Sequence, residues 1–370
     1  MEATKRQRGK LILPDSDRPL DSPTRDPLCS IVLGDARDTG LPARSVDLVV
    51  TSPPYWKKRD YGLDGQIGQE RTSGEFVQAI IESLREWRRV LRTTGSVFLN
   101  IGDSYHRQSL AGIPARIEAA ALDDGWRVRN RIIWAKQAGM PEPARDRLAN
   151  RHEYVLHLVG RSNYYYDLFA YSERYGNGTN PGDVWQFNPG RHMGGHLAPF
   201  PAEIAERAIT LSCPERVCLS CGAPRQRLVR RTANLDAARP QAKRAMDLAR
   251  QAGLTAGHIA AIQATGVSDA GKALVIQNGT NRNAAEVKEL AAEAKKALGG
   301  YFREFTFAKR ETVRWTRCEC GVGMSRGSVL DPFMGTGTTV RTANSMGRDA
   351  IGVDLAPPSD LVDRTQTSVA

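Results

Sequence analysis

The chain has 370 residues, 41% of them hydrophobic, with a net charge of +11 and a pI near 9.5. This length is sufficient for one large domain with an insertion, or for two domains, each with a folded core. No apolar run reaches the roughly 18 residues that a membrane span requires, and the N-terminus has no apolar signal segment, so a cytoplasmic location without a membrane partner is expected.

The positive charge is concentrated in one internal segment. Residues 222–317 contain 18 Lys and Arg against 8 Asp and Glu, which accounts for +10 of the net +11. A charged segment is often only a solvated surface, but so uneven a distribution favours a module that binds a polyanion. Residues 1–28 are rich in Pro, Asp and Arg without periodicity, and are predicted to form a disordered tail.

Predicted strands and helices alternate along the chain. The pattern of apolar residues predicts strands over 30–34, 46–51, 95–103, 126–136 and 152–160, and helices over 74–91 and 113–122. Residues 196–213 begin with prolines and become helical, and residues 327–355 form a strand, a glycine-rich loop, a helix and a second strand. This alternation predicts an α/β fold with a mostly parallel sheet covered on both faces.

The strand at 46–51 runs directly into Ser52-Pro53-Pro54-Tyr55-Trp56. Two prolines cannot continue a strand, because neither has an N–H to donate, and the preceding carbonyls are left without partners. A rigid turn with free carbonyls, a hydroxyl and two exposed rings is typical of a pocket for a flat, polar ligand. The alternative interpretation is an ordinary turn at the end of a strand.

The glycine-rich segment "DPFMGTGTT", residues 331–339, indicates a second ligand. It lacks the lysine of a phosphate-binding P-loop, and it departs from GxGxxG because Val340 occupies the final position. Asp331 at its start suits a ligand with an amine, and Asp354, after the following strand, is placed to bind ribose hydroxyls. These requirements fit S-adenosylmethionine better than ATP or NAD.

Together, "TSPPYW" and "DPFMGTGTT" resemble the motifs of the DNA amino-methyltransferases, which methylate the exocyclic nitrogen of cytosine or adenine. The catalytic motif precedes the cofactor loop, as in the circularly permuted β group of that family. The resemblance covers residues 29–218 and 324–355. It implies a doubly wound, circularly permuted methyltransferase sheet, S-adenosylmethionine as cofactor and double-stranded DNA as partner.

The resemblance also implies roles for individual residues. Ser52 Oγ and the Pro53 carbonyl would accept the hydrogen bonds of the target amino group, and Pro54 would keep this pair rigid. Tyr55, with help from Trp56, would stack on a base flipped out of the duplex. The implied cofactor-binding residues are Asp35, Phe200, Pro201, Asp331, Pro332, Phe333, Gly335, Gly337, Thr338 and Asp354.

Two points remain open within this resemblance. Ser before Pro-Pro is associated mostly with cytosine N4, and Asp or Asn there mostly with adenine N6, so cytosine N4 is predicted and adenine N6 is the alternative. Asn100 and Asp103 either face the same cleft or form a polar turn.

Four of the six cysteines form two close pairs, Cys218 with Cys221 and Cys318 with Cys320. Such pairs are typical of a structural zinc site, and a metal would join the two ends of the segment between them. The alternative is buried or incidental cysteines. Helices are predicted after Thr255, Ser268 and Asn283, the last ending at Leu298.

The predicted organisation is a tail over 1–28, a catalytic domain over 29–217 and 324–370, and a zinc-anchored basic insertion over 218–323 that recognises the target. Two other functions remain open: an amine methyltransferase acting on protein or RNA, and a zinc-dependent DNA-binding regulator with an inactive methyltransferase domain. A restriction endonuclease is a candidate counterpart, while the recognition sequence and oligomeric state are left open.

Overall fold

The computed structural model describes residues 26–138, 143–188, 201–266 and 285–358. The chain divides into two compact units, with Arg227–Trp315 as the second and the residues on either side as the first. We call them the sheet unit and the helical unit. The limits predicted for the insertion, 218 and 323, lie outside the helical unit, so both cysteine pairs belong to the sheet unit. Most of the predicted tail, Phe200, Ser268 and Asn283 lie outside the described residues.

The strands in chain order are β1 (Cys29–Leu33), β2 (Val46–Thr51), β3 (Leu91–Ile101), β4 (Tyr105–His106), β5 (Ser109–Leu110), β6 (Arg127–Ala135), β7 (His152–Val159), β8 (Val184–Gln186), β9 (Arg216–Cys218), β10 (Arg227–Arg231), β11 (Arg310–Trp315), β12 (Met324–Arg326), β13 (Ser328–Asp331) and β14 (Asp349–Asp354). The helices are α1 (Ser73–Val90), α2 (Ile113–Asp123), α3 (Leu168–Tyr175), α4 (Ala202–Ser212), α5 (Pro240–Gln251), α6 (Ala256–Thr265), α7 (Ala285–Leu298), α8 (Phe302–Thr306) and α9 (Thr338–Ser345). These elements confirm the alternation predicted for the catalytic domain.

An eight-stranded sheet in the order β1-β14-β13-β2-β3-β7-β6-β8 forms the centre of the sheet unit. The strands from β1 to β3 are parallel, whereas β7 is antiparallel to both of its neighbours, β3 and β6. Strands β13 and β14 come from the end of the chain and pair between β1 and β2, which is the permuted connection that the motif order predicted. The expectation of a mostly parallel sheet therefore holds for one half of it.

Both faces of this sheet are covered by helices. β2 is buried at every position, and its side chains alternate between two cores. Val49 packs with α1 and α2, while Leu48 and Val50 pack with α4 and α9. This two-sided burial explains why β2 is a continuous apolar run, as is typical of a central parallel strand.

The helical unit has a small core of its own. Ile259, Ile262, Leu298 and Phe305 are buried among residues of α5, α6, α7 and α8. Thr255 precedes α6 and Leu298 ends α7, as predicted. Antiparallel strands β10 and β11 close the unit at its two ends. No helix in the described ranges is long and apolar enough to cross a membrane.

Candidate active site

The predicted site residues follow neighbouring strands at one edge of the sheet. Ser52 comes after β2, Asn100 lies near the end of β3, Asp331 ends β13, Asp354 ends β14 and Asp35 follows β1. Because β1, β14, β13, β2 and β3 are parallel neighbours, their carboxyl ends meet at the same edge. Ligands of open α/β sheets bind at this edge. The sheet thus brings the two predicted motifs side by side.

A polar cluster surrounds the hydroxyl of Ser52. The Asn100 side-chain nitrogen lies 2.8 Å from the Tyr55 hydroxyl, 2.9 Å from Glu153 Oε2 and 3.3 Å from Ser52 Oγ. Ser52 Oγ also donates to the Tyr55 hydroxyl at 3.3 Å. Asn100 is 1% exposed, and its Oδ1 has no hydrogen-bond partner among the described residues. The cluster therefore fixes the Ser52 hydroxyl and leaves a buried acceptor beside it.

Tyr55 is held by its hydroxyl and by its ring. The hydroxyl donates to Glu153, whose other oxygen accepts from Lys136. Burial, together with the adjacent Glu153 carboxylate, raises the pKa of the Tyr55 phenol well above its usual value, so it stays protonated as a donor. A Cβ added at Gly102 would stand 2.7 Å from the Tyr55 ring, so the backbone there touches the ring.

Sequence reasoning missed Glu153 and Lys136. Both side chains are largely buried, with exposures of 15% and 22%. Their positions follow from the pairing of β7 with β3 and β6, which places Val155 opposite Asn100. A signal was present, because Glu153 is a charged residue at the start of an otherwise apolar strand.

Trp56 differs from expectation. The sequence suggested an exposed ring beside Tyr55, but Trp56 is 3% exposed and belongs to the core next to α1. Its indole nitrogen donates to the Glu70 carbonyl at 3.0 Å, and its ring lies 5.2 Å from that of His106. A ring held in this way has no free face for a base, so the assisting role given to Trp56 is wrong.

The glycine loop is held from below by two carboxylates. Asp331 is 4% exposed, and its Oδ1 accepts from Thr51 Oγ1 at 2.6 Å and from the Phe333 N–H at 3.2 Å. Burial raises the pKa of Asp331 to about 6. Asp354 Oδ2 accepts from the Gly335 N–H at 2.7 Å. Both side chains therefore shape the loop, and Asp331 lies beneath it instead of facing open space.

Left-handed backbone at two glycines turns the loop into α9. Gly335 has a φ of +51°, and Gly337, with a φ of +77°, immediately precedes Thr338 at the start of α9. A Cβ added at Gly335 would meet nothing within 4 Å, so the space above the loop is open. Glycine is the residue that adopts this conformation without strain. Pro332 is buried and Phe333 half-buried against Trp87.

The remaining predicted residues have local partners. Asp35 forms a bidentate pair with Arg37, which lowers the pKa of the Asp35 carboxyl. Asp103 accepts from the N–H groups of Gly112 and Ile113 and so caps the start of α2, which matches the polar-turn interpretation. Pro201 immediately precedes α4.

The four paired cysteines lie together. The sulfur atoms of Cys218, Cys221, Cys318 and Cys320 are all within 4.8 Å of one another. In a tetrahedral zinc site with Zn–S bonds of about 2.3 Å, sulfurs are separated by about 3.8 Å. The antiparallel pairing of β9 with β12 brings the two halves together, with Cys218 opposite Met324. This donor set has the chemistry and spacing that a structural zinc ion requires.

Comparisons with known proteins agree on one group. The family model N6_N4_Mtase, described as DNA methylase, matches residues 46–218 and 323–358, which is more than half of the chain. The type II methyltransferase M.SmaI of Serratia marcescens is 35% identical over 216 residues, covering 49% of this chain and 74% of that protein. M.Cfr9I of Citrobacter freundii is 35% identical over 203 residues, covering 46% and 68%.

Among solved structures, the PvuII DNA methyltransferase, titled cytosine-N4-specific, matches with a TM-score of 0.51. The match covers 94% of this chain and 97% of that chain at 13% identity, so the likeness is one of fold. The family model leaves out residues 219–322, which include the whole helical unit.

Proposed function

The chain belongs to the N6_N4_Mtase family of DNA methylases, and from that premise we propose that it methylates the exocyclic amino nitrogen of a flipped DNA base, with cytosine N4 as the target and S-adenosylmethionine as the methyl donor. One observation carries the proposal. Ser52, fixed by the cluster with Asn100 and Tyr55, stands at the same sheet edge as the glycine loop. An acceptor for an amino group thus lies beside a loop open to a ligand.

The glycine loop fits the adenosyl group of such a donor. Open space above Gly335 leaves room for a ligand close to the backbone, and the turn precedes the N-terminus of α9. Asp354 keeps lone pairs beyond the one bonded to Gly335 and can accept from ribose hydroxyls. Asp35, Pro201, Pro332, Phe333 and Thr338 complete the proposed binding set, with Asp331 as its internal support. When bound, S-adenosylmethionine supplies a methyl group on a positively charged sulfur.

Ser52 and Pro53 orient the nucleophile. An exocyclic amino nitrogen is a weak nucleophile because its lone pair is delocalised into the base. When Ser52 Oγ and the Pro53 carbonyl each accept one of its N–H bonds, the nitrogen is held closer to tetrahedral and its lone pair is directed at the methyl group. Pro53 and Pro54 fix the backbone, so little reorganisation is needed in the transition state.

Tyr55 provides the stacking surface for the flipped base. Its ring rests against Gly102, and its hydroxyl is bound by Asn100 and Glu153, so the face is fixed before a base arrives. Stacking on a rigid aromatic ring stabilises an extrahelical base by about 1–3 kcal/mol.

The choice of cytosine N4 rests on Ser52. In this family Ser before Pro-Pro is associated mostly with cytosine N4, and a hydroxyl brings no charge near the ring nitrogen of the base. Adenine N6 is the alternative, since a hydroxyl can accept from either amino group. We expect a restriction endonuclease of the same specificity as the counterpart.

Residues 218–323 are proposed to recognise the target sequence, with a structural zinc ion held by the four cysteines at their base. Support comes from the excess of positive charge in 222–317 and from the clustered sulfurs. Deleting residues 232–312 should weaken DNA binding and flatten its salt dependence. Unchanged binding at two salt concentrations would remove the insertion from DNA recognition.

Transfer of tritium from labelled S-adenosylmethionine to DNA tests the proposed activity. The wild type and a Ser109→Ala control, changed at an exposed serine, should label DNA equally, and Ser52→Ala should label it far more slowly. Labelling of protein or RNA instead of DNA would favour another amine methyltransferase. DNA binding without any transfer would favour the regulator.

A further inference from the structure

A second cavity lies at the opposite end of the sheet from the candidate active site. It has a volume of about 440 Å³ and is lined by residues at the end of α1 and the start of β3, with others after β7. This volume is within the range of roughly 300–1,000 Å³ found for small-molecule sites. The side chains that define its chemistry are Arg44, Arg88, Arg89, Arg92, Trp126 and Arg161.

The cavity carries an excess of positive charge. Three of its arginines have carboxylate partners, with Arg88 3.4 Å from Asp124 and Arg92 3.2 Å from Asp47. Arg89 pairs with Glu86 in the same way. Arg44 and Arg161 are exposed at the rim, and neither has an ion pair within the described part of the chain. Two uncompensated charges therefore face any ligand of this cavity.

Buried donors without acceptors also line the cavity. Trp126 is 3% exposed, and its indole N–H has no hydrogen-bond partner among the described residues. The Arg88 guanidinium stacks on this indole at 4.4 Å, and its Nε lacks a partner as well. An indole and a guanidinium can only donate. The complementary ligand must therefore bring several acceptor oxygens and negative charge, which is the chemistry of a phosphate group.

The cavity is distinct from the base-binding site. Arg92 and Asn100 lie eight residues apart on the same strand, β3, which corresponds to about 26 Å at roughly 3.3 Å per residue. A phosphate bound here would therefore not be one of those that flank the flipped base.

We propose that this arginine-lined cavity binds a phosphate group, supplied either by a DNA phosphodiester remote from the target base or by free inorganic phosphate. The first source rests on the proposed function, and the second does not. The test therefore has two arms that read the sources separately.

The first arm measures inorganic phosphate by calorimetry on the full chain without DNA. Two variants perturb the cavity, the double change Arg44→Ala/Arg161→Ala and the conservative Trp126→Phe, which keeps the stacking ring and removes only the N–H. The matched control is Arg131→Ala/Arg174→Ala, which removes the same charge from two exposed arginines of the sheet unit outside the cavity. A free-phosphate site predicts binding at least tenfold weaker in both cavity variants and unchanged in the control.

The second arm measures DNA affinity against salt for two duplexes centred on the target. A 10-bp duplex extends about 17 Å to either side of its centre, at 3.4 Å per base pair, and cannot reach the cavity, whereas a 30-bp duplex can. A DNA source predicts that Arg44→Ala/Arg161→Ala lowers the salt slope by roughly 1.8 on the long duplex, about 0.9 for each lost phosphate contact, and leaves the short duplex unchanged.

A loss confined to the cavity variants in either arm supports the site and identifies its source. Wild-type behaviour of both cavity variants in both arms overturns the proposal, as does an equal loss in the control. Methylation of the 10-bp duplex reports separately on the proposed function. If the wild type does not methylate it, that function fails while the phosphate arm still decides this site.

Discussion

Replacing Gly102 by Ala should impair methyl transfer without removing any chemical group from the site. The added Cβ would stand 2.7 Å from Tyr55 Cε2 and 3.1 Å from Cδ2. Ordinary carbon contacts lie at about 3.5–4.0 Å, so the ring must move by about 1 Å. Gly102 does not have a positive φ, so alanine is not strained by the backbone there.

A shift of about 1 Å would move the Tyr55 hydroxyl away from Asn100 and Glu153 and displace the proposed stacking surface. Misplacement on this scale costs on the order of 100-fold in rate. Overpacking of this kind destabilises a fold by about 1–3 kcal/mol. We therefore expect kcat to fall 10- to 100-fold, with unchanged binding of S-adenosylmethionine and a modest loss of stability.

Steady-state transfer to DNA and urea unfolding measure the two effects separately. The control is Gly74→Ala in the first turn of α1, where the nearest atom to an added Cβ is Thr72 Oγ1 at 3.9 Å and activity should not change. Wild-type kcat in a folded Gly102→Ala protein would refute the role assigned to Tyr55.

Three further changes test other parts of the site. Glu153→Gln should lower kcat about tenfold and stability by about 2 kcal/mol, because Tyr55 and Lys136 lose a charged acceptor; an inert change in both kinetics and urea unfolding would contradict this. Burial raises the pKa of Asp331 from 3.8 to about 6, so the native state holds its proton longer than the unfolded state and stability falls as pH rises from 4 to 7. Asp331→Asn should remove up to about 3 kcal/mol of that fall in urea unfolding, and parallel curves would refute the shift. Cys320→Ser should lower the zinc content measured by metal analysis from about one equivalent, and metal-free wild-type protein would remove the site.

Local signals were sufficient for the two motifs. β2 is an apolar run stopped by two prolines, and the loop before α9 contains the glycines that its left-handed backbone requires. Each depends on residues close in sequence, so the chain alone predicts both the element and its end. The two motifs also gave the order of strands, since a cofactor loop near the end of the chain implies a permuted sheet.

Other features depend on contacts between distant parts of the chain. The position of Glu153 beside Tyr55 follows from the register of β7 against β3, which no local pattern encodes. Trp56 is buried because the loop after it returns to cover the ring, with its N–H bonded to Glu70. β10 is "RLVRR", whose alternation is hidden by arginines, so the strands that close the helical unit were not predicted.

The identity of the methylated nucleoside tests the central claim most directly. DNA is treated with S-adenosylmethionine that carries a deuterated methyl group, hydrolysed to nucleosides and analysed by mass spectrometry, for the wild type and for Ser52→Ala. The account predicts labelled N4-methylcytidine deoxynucleoside from the wild type and far less from Ser52→Ala. Labelled N6-methyladenine alone would overturn the target base, and no labelled nucleoside from a folded wild type would contradict the account as a whole.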